Sequence, residues 1–500
     1  MSLLLSFIIF LGNTMCKTKI VATLGPASNN PQIIEKLILA GVNVVRLNFS
    51  HGSSEEHIAR AELVRSIALR LDRHVGVLVD LQGPKIRIAA FLNGQVKLEK
   101  GQLFTLDANM ALDAGTEQAV GLDFPQLVSD IQVGDTLLLD DGRIRLKVKN
   151  IDGMKVLTKV LNSGMLSNRK GINLLGGGLS APALTEKDKQ DIITAAELDA
   201  DFVAVSFPRN SAELNEARDL VQAAGCSAAI VAKVERAEVV ASVKAMDDVI
   251  LASDVIMVAR GDLGVEIGDA NLPLVQKRLI ERSRYHGRPV ITATQMMESM
   301  IENPMPTRAE VSDVANAVLE GTDALMLSAE SAAGKFPVEA VAYMANIACG
   351  AEGRVNEAGE SWKNLINLCS EPRKSMALAA MLSASSSKQN LGVAILTEQG
   401  DTPRLMSRFQ GKQNIWALSH EPRVLRQLAI LRGVIPVRFD HQGMSGHALA
   451  EKVKAHLFHA DMLNNVDSLI LTQLESLENS GDTDICRFIK LPNMFEQSAA

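Results

Sequence analysis

The sequence predicts an α/β protein: a (β/α)8 TIM barrel, interrupted by an inserted all-β lid domain and followed by a C-terminal open α/β domain. Three observations carry this. Eight short apolar runs alternate with amphipathic helical segments, the pattern of a parallel sheet covered by helices on both faces. Without the interruption, these units fill roughly 250 residues, the size of one closed barrel. The interruption itself has turn residues every eight to twelve positions and no helical period, which reads as small antiparallel strands.

The eight runs are Thr18–Gly25, Val42–Ser50, Val75–Gln82, Asp201–Phe207, Ala228–Val234, Val255–Asp262, Pro289–Gln295 and Ala324–Glu330. After the third, the chain leaves the barrel pattern until Leu184-Thr185-Glu186-Lys187-Asp188. The excursion shows strand signals at Leu137–Leu139 and Val156–Val160, a turn signal at Asp140-Asp141-Gly142, and Gly176-Gly177-Gly178 as a joint near its end. Beyond residue 352, helical segments at 373–386, 403–409, 421–431 and 445–458 alternate with apolar runs Leu391–Thr397, Ile415–Leu418, Val434–Phe439 and Ser468–Thr472. The expected division is an apolar N-terminal extension (1–16), a barrel (17–87 and 183–352), a β lid (88–182) and a C-terminal α/β regulatory domain (353–500).

Composition narrows the function. Lys plus Arg number 51 and Asp plus Glu 58, and no basic block occurs, so nucleic acid is not an expected partner. Aromatics are only 4% of the chain, so aliphatic residues and methionine must fill the core. Five cysteines are scattered without a CxxC pair, which fits neither a zinc ribbon nor a disulfide framework and points to the reducing cytoplasm. Leu3–Leu11 is apolar except for Ser6. It is too short to span a bilayer core of about 30 Å, no Lys or Arg precedes it, and no cleavage signal follows, so we expect no membrane partner and a translation start at Met15.

In an eight-stranded β/α barrel the C-terminal strand ends build the active site. Here they are polar one after another: Arg46 to His51, Asp80 to Arg87, Ser206, Lys233 and Glu235, Arg260 to Asp262, Thr292 to Thr294, and Ser328 with Glu330. Lys233 and Glu235 alternate on one strand and so share a face. Alone they could be a plain ion pair, but Asp262 ends the next run and could share an oxygen-ligand site with Glu235. Two carboxylates completed by water and substrate oxygens are how Mg²⁺ is usually held. Arg46, Lys233 and Arg87 are expected as cations over the same mouth. Cations beside such a metal imply a phosphate or oxoacid substrate. Neither a Walker A motif nor a GxGxxG fingerprint is present, so any nucleotide is held by the barrel mouth and the insert. A single histidine such as His51 or His286 beside a strand end is more often structural than catalytic, and Met296, Met297 and Met300 fall at core spacing.

Thr23-Leu24-Gly25-Pro26-Ala27-Ser28, Val45 to Gly52, Asp80-Leu81-Gln82-Gly83-Pro84-Lys85-Ile86-Arg87, Met257 to Glu266, Ala293 to Met300, Pro306 to Glu310 and Met326 to Glu330 closely resemble the pyruvate kinase family. The likeness runs from about Lys17 to Leu491 and is nearest to the bacterial type carrying the Asp-Leu-Gln-Gly-Pro-Lys-Ile-Arg stretch. It implies phosphoryl transfer from phosphoenolpyruvate to ADP, giving pyruvate and ATP at the last step of glycolysis. By resemblance, Glu235 and Asp262 match the divalent-metal ligands for Mg²⁺ or Mn²⁺, and Lys233 matches the cation that steadies the phosphoryl group and the enolate. Arg46 matches a phosphoryl-contacting arginine, with Gly261 on the substrate side. Thr294 matches the threonine near the enolate carbon, and Ser328 with Glu330 matches a supporting network. Asn48, His51, Arg87 and Lys170 match nucleotide-side positions. The loop Thr397, Gly400, Thr402 occupies the effector-phosphate loop, where Glu398 and Asp401 disfavour a heavily charged ligand, so a monophosphorylated effector is expected. The family is usually a homotetramer.

Two features depart from many members. Strand eight reads Ser-Ala-Glu-Ser rather than Ser-Gly-Glu-Thr. In K⁺-dependent members the cation sits near the positions of Asn48, Ser50 and Asp80, together with a threonine where this chain has Leu81 and a glutamate where it has Lys85. Leu81 offers no side-chain oxygen and Lys85 brings a fixed ammonium, so K⁺ is not expected to be required. The bland alternative is a loop lysine paired with an acid. A different metal-dependent barrel acting on oxoacids, or a silent binding protein, are the competing readings. The first does not need the β insert or Lys170, and the second should have lost one of Lys233, Glu235 and Asp262.

Overall fold

The computed structural model describes residues 16–353, 372–409, 411, 413–441, 444, 446–460, 462–463, 466–473 and 485–491. The apolar run Leu3–Leu11 lies outside the described residues.

Eight strands close into a barrel through parallel neighbours all the way round. They are Lys19–Leu24, Val42–Asn48, Gly76–Asp80, Phe202–Val205, Ala229–Val234, Val255–Ala259, Val290–Ala293 and Ala324–Leu327. Each falls within its predicted run, and each run overshoots at one or both ends. The overshoot is physical, because the polar residues after the last ladder bond leave the sheet to form the mouth. The clearest correction concerns the sixth strand. It stops at Ala259, and Asp262 lies in the first turn of the helix Arg260–Ile267 rather than at a strand end.

Two apolar layers hold the barrel. One lies between strands and surrounding helices, and the other fills the barrel axis with Val21, Val44, Leu78, Met257 and Ile291. The axial layer runs on into the C-terminal domain through Val393, Phe409 and Ile415. That domain therefore caps the N-terminal end of the barrel. Its arginines reach back to acids that precede strands: Arg426 Nε donates to Asp201 Oδ1 at 2.8 Å, and Arg408 Nη1 donates to Asp323 Oδ2 at 2.8 Å. With this end covered, the C-terminal strand ends are left to build the site.

The insert has a core of its own, running from Ile86 to Ala181, under a six-stranded sheet and a two-stranded ladder. The predicted Asp140-Asp141-Gly142 turn is present, with φ of 51°, 55° and 81°. The C-terminal domain is a five-stranded sheet. Its four parallel strands match the predicted runs. The fifth, Ile485–Lys490, pairs antiparallel at one edge and was not expected, since its charged Arg487 and Lys490 mask an apolar pattern.

Candidate active site

The strand ends gather ionised groups at the barrel mouth. Asp80 closes strand three, is 1% exposed, and ties two cations together. Its Oδ2 accepts a hydrogen bond from Arg46 Nε at 2.6 Å, and its Oδ1 lies 3.2 Å from Lys233 Nζ. Arg46 also donates to Thr23 Oγ1 at 3.0 Å. Lys233 donates to Ser206 Oγ at 2.7 Å and pairs with Glu235 Oε1 at 3.0 Å; Glu235 lies one residue past the strand end at Val234, yet the two meet as the alternation predicts. Ser206 in turn donates to the Leu81 carbonyl at 2.7 Å, which fixes the direction of the chain of hydrogen bonds.

Glu235 is held from its other side by the Phe207 N–H, 2.7 Å from Oε2. Phe207 adopts φ of 56°, a left-handed conformation costing on the order of 1–3 kcal/mol for a side chain of this kind. That turn aims the amide at the carboxylate. Burial, opposed by Lys233 and reinforced by Asp262, holds the Glu235 carboxyl above the ordinary carboxylate range. Burial also works against the Asp80 charge, but Lys233 and Arg46 outweigh it and keep that carboxyl low. For Lys233, burial disfavours the ammonium, while Asp80 and Glu235 more than compensate and keep it charged.

Asp262 faces this group from the next segment. Its Oδ1 accepts from Lys85 Nζ at 3.0 Å. The two carboxylates of Glu235 and Asp262 thus repel across a space that a hard divalent cation would neutralise, and an all-oxygen donor set suits Mg²⁺ or Mn²⁺. Among the described residues no group of three His, Cys, Asp or Glu side chains converges as a metal cluster, so the remaining ligands would have to be water and substrate.

The seventh strand supplies Thr294 in a left-handed turn, with φ of 65° there and 53° at Gln295. Thr294 Oγ1 accepts from the Gly261 N–H at 2.8 Å and donates to the Ala293 carbonyl at 2.7 Å. Arg260, expected from sequence among the polar residues that end the sixth strand, turns away from the acidic pair. Its guanidinium is buried, donates to the carbonyls of Thr294 and Gln295 at 2.7 and 2.9 Å, and pairs with both oxygens of Asp313. It holds the turn that carries Thr294. On strand eight, the half-buried Ser328 gives its N–H to Glu330 Oε2 at 2.8 Å, and Glu330 Oε1 accepts from the Met297 N–H at 3.2 Å.

The structure does not bring every predicted residue to this cluster. Arg87 is expected over the mouth beside Arg46 and Lys233, but its Nη1 donates to the Arg169 carbonyl at 3.0 Å and its N–H to Asp123, both in the insert. Lys170 pairs with Asp140 at 2.7 Å, again within the insert. Asn48 turns its Oδ1 toward the Ser50 N–H at 3.2 Å. His51 is exposed, and its carbonyl lies 2.9 Å from Nε2 of His57, a buried ring stacked on Phe49. The Leu81 side chain is buried in the outer apolar layer, so it presents no side-chain oxygen to the mouth. In the C-terminal domain, Thr397 Oγ1 accepts from the Gly400 N–H at 2.9 Å, closing the turn that leads to Thr402. Sequence reasoning missed two parts of this cluster. Ser206 appeared only as a strand-end hydroxyl, and nothing in the local sequence points to its link between Lys233 and Leu81. The Arg260–Asp313 pair spans segments 53 residues apart and left no local signal.

Residues 15–341 match the family model described as "Pyruvate kinase, barrel domain", and residues 374–489 match "Pyruvate kinase, alpha/beta domain". The chain is 54% identical over 471 residues to the pyruvate kinase of Haemophilus influenzae, covering 94% of this chain and 98% of that one. It is 53% identical over 473 residues to pyruvate kinase II of Salmonella typhimurium, covering 95% and 98%. Against the pyruvate kinase of Staphylococcus aureus the identity is 41% over 479 residues, covering 95% of this chain and 80% of the relative.

Proposed function

We propose, from the premise that this chain belongs to the pyruvate kinase family, that the cluster around Asp80, Lys233 and Glu235 is where it moves the phosphoryl group of phosphoenolpyruvate to ADP. The protein is a phosphotransferase of glycolysis that forms pyruvate and ATP. The roles within the site are our reading. The observation that carries them is one buried carboxylate, Asp80, shared by Arg46 and Lys233, which leaves a net cationic pocket next to a pair of acids.

Phosphoryl transfer asks a protein mainly for positioning and for neutralisation of charge. Arg46, anchored by Asp80 and Thr23, receives the phosphoryl oxygens. Lys233 sits one contact further in, where charge moves from the phosphoryl group to the enolate oxygen. The Gly261 amide and Thr294 hydroxyl face the oxoacid, and Thr294 holds a proton at its Oγ1 beside the enolate carbon. Ser328 and Glu330 keep the adjoining turn in place. Glu235 and Asp262 would hold Mg²⁺ or Mn²⁺, which would supply positive charge to a phosphorylated oxoacid. Asn48, His51, Arg87 and Lys170 take the nucleotide side. Arg87 and Lys170 lie in or beside the insert, so they reach the mouth only when the insert closes over it.

Lys85 supports a site that works without K⁺. Its ammonium is paired with Asp262, where it supplies the fixed charge that a monovalent cation would otherwise bring. We also infer a cytoplasmic homotetramer with no membrane or nucleic-acid partner, and a monophosphorylated effector at Thr397, Gly400 and Thr402. Among the described residues no helix is long and apolar enough to cross a membrane. Activity in Lys233→Met tests the reading: kcat should fall far more than the KM for phosphoenolpyruvate rises. A pure KM effect contradicts it.

A further inference from the structure

The insert leaves through Asn173 to Leu179, and three groups of the barrel grip that exit. Glu238 Oε1 accepts from the Gly178 N–H at 2.6 Å. Arg236 Nη2 donates to the Leu179 carbonyl at 2.7 Å and to Glu238 Oε1 at 3.1 Å. Glu266, fully buried, accepts from Asn173 Nδ2 at 3.4 Å and from the Ala237 N–H at 2.8 Å, and its own carbonyl accepts from the Gly176 N–H at 2.9 Å. The chain reaches these partners through three successive left-handed glycines, Gly176, Gly177 and Gly178, with φ of 93°, 79° and 105°. At Gly177 the left-handed backbone favours glycine, and a Cβ would meet Glu238 Oε2 at 2.6 Å, so a side chain there would displace the Glu238 carboxylate.

The location matters. Arg236 and Glu238 directly follow Glu235, and Glu266 is one helical turn beyond Asp262. The exit of the insert is therefore tied to the same two segments that carry the acidic pair. The grip is also incompletely satisfied, because Arg236 Nε and Glu238 Oε2 are buried without a hydrogen-bond partner, although Arg236 Nε lies 3.7 Å from Glu266. Buried polar atoms rarely stay unpaired without a reason. Here the spare acceptor Glu238 Oε2 faces Gly177, in a run of glycines that can re-aim its amides, and the spare donor Arg236 Nε is turned toward Glu266.

We propose that Arg236, Glu238 and Glu266 form a two-position latch on Gly176–Gly178, which sets the angle of the insert and couples it to the segments bearing Glu235 and Asp262. These are positioning residues. The proposal rests on the reading that the insert closes over the nucleotide.

Hydrogen exchange and steady-state kinetics of the full-length enzyme test it. Glu238→Ala removes the acceptor for Gly178 and Arg236, and Gly177→Ala strains the left-handed turn and displaces the Glu238 carboxylate from it. Both variants should speed amide exchange over residues 172–180 by about tenfold, with barrel-strand amides unchanged, because only a local opening is made easier. The KM for ADP should rise about fivefold as the seated position loses population. The KM for phosphoenolpyruvate and kcat should stay within about twofold. Glu238→Gln, which retains an oxygen acceptor, should recover most of the protection. Unchanged exchange over 172–180 in both folded variants, or faster exchange spread evenly over the chain, overturns the latch. Faster local exchange with an unaltered KM for ADP overturns its coupling to the site. Should the wild-type enzyme release no pyruvate with ADP, the functional reading falls, while the exchange measurement still judges the latch.

Discussion

Replacing Lys233 by Met removes one ammonium and keeps most of the apolar stem. That ammonium lies 3.2 Å from Asp80 and 3.0 Å from Glu235. At an effective dielectric of about 20, each pair attracts by about 5 kcal/mol before desolvation is subtracted. Asp80 keeps Arg46 at 2.6 Å, but Glu235 keeps only the Phe207 amide. We therefore expect a stability loss of about 3 kcal/mol, the low end for breaking a buried pair, with the chain still folded. The kinetic effect should be larger and differently distributed. Removing one fixed group aimed at developing charge lowers kcat by about 10²–10³-fold. Arg46 still binds the ground-state phosphoryl group, so the KM for phosphoenolpyruvate should move by no more than about threefold. Initial rates of pyruvate formation over a grid of phosphoenolpyruvate and ADP, with a urea titration of the same samples, give both numbers. A large rise in KM with kcat intact would show that Lys233 binds ground and transition states alike, and the reasoning would fail.

Glu235→Gln and Asp262→Asn should each abolish most Mg²⁺-dependent turnover while far-ultraviolet dichroism stays native, and wild-type turnover at ordinary Mg²⁺ would refute the acidic pair as the metal site. The wild-type enzyme should run with Mg²⁺ when tetramethylammonium is the sole monovalent cation, and Lys85→Glu should create a need for K⁺. A wild-type enzyme rescued many-fold by K⁺ contradicts this. Burial pushes the Asp201 carboxyl up to about 6 against the pull of Arg426. An acid whose pKa is raised on folding stabilises the native state below its unfolded pKa and loses that contribution as pH rises through the folded value. Wild-type melting temperature should therefore drop relative to Asp201→Asn between about pH 4 and 6, and a constant difference across that window would rule this out. Sugar or nucleoside monophosphates should activate more than fructose 1,6-bisphosphate, and the reverse order would remove the case built on Glu398 and Asp401.

The barrel was legible because its strands are mostly apolar and covered on both faces, as Lys19–Leu24 and Val255–Ala259 are in the structure, each buried along its whole length. What blurred their ends was the site itself. Arg260, Gly261 and Asp262 continue the sixth run on paper, yet the Arg260 guanidinium folds back onto the carbonyls of Thr294 and Gln295 and turns the chain into a helix. Lys233 and Glu235 were readable as partners because alternation on one strand is a local property. Asp80 as the bridge between Arg46 and Lys233 was not, since it requires three strands in register. The same limit hid Ser206 and the grip of Glu238 on Gly178, whose residues are 60 apart in sequence. Arg87 was placed over the mouth by its position after strand three, but the chain has already entered the insert there, and Arg87 follows the insert.

The most direct measurement is pyruvate and ATP formation from phosphoenolpyruvate by the purified full-length chain, with ADP and Mg²⁺ supplied or withheld separately. The account predicts pyruvate and ATP in equal amounts when both are present, and neither product when ADP is omitted or the metal is chelated. Pyruvate released without ADP, or phosphoenolpyruvate consumed by rearrangement or condensation without ATP, would contradict it.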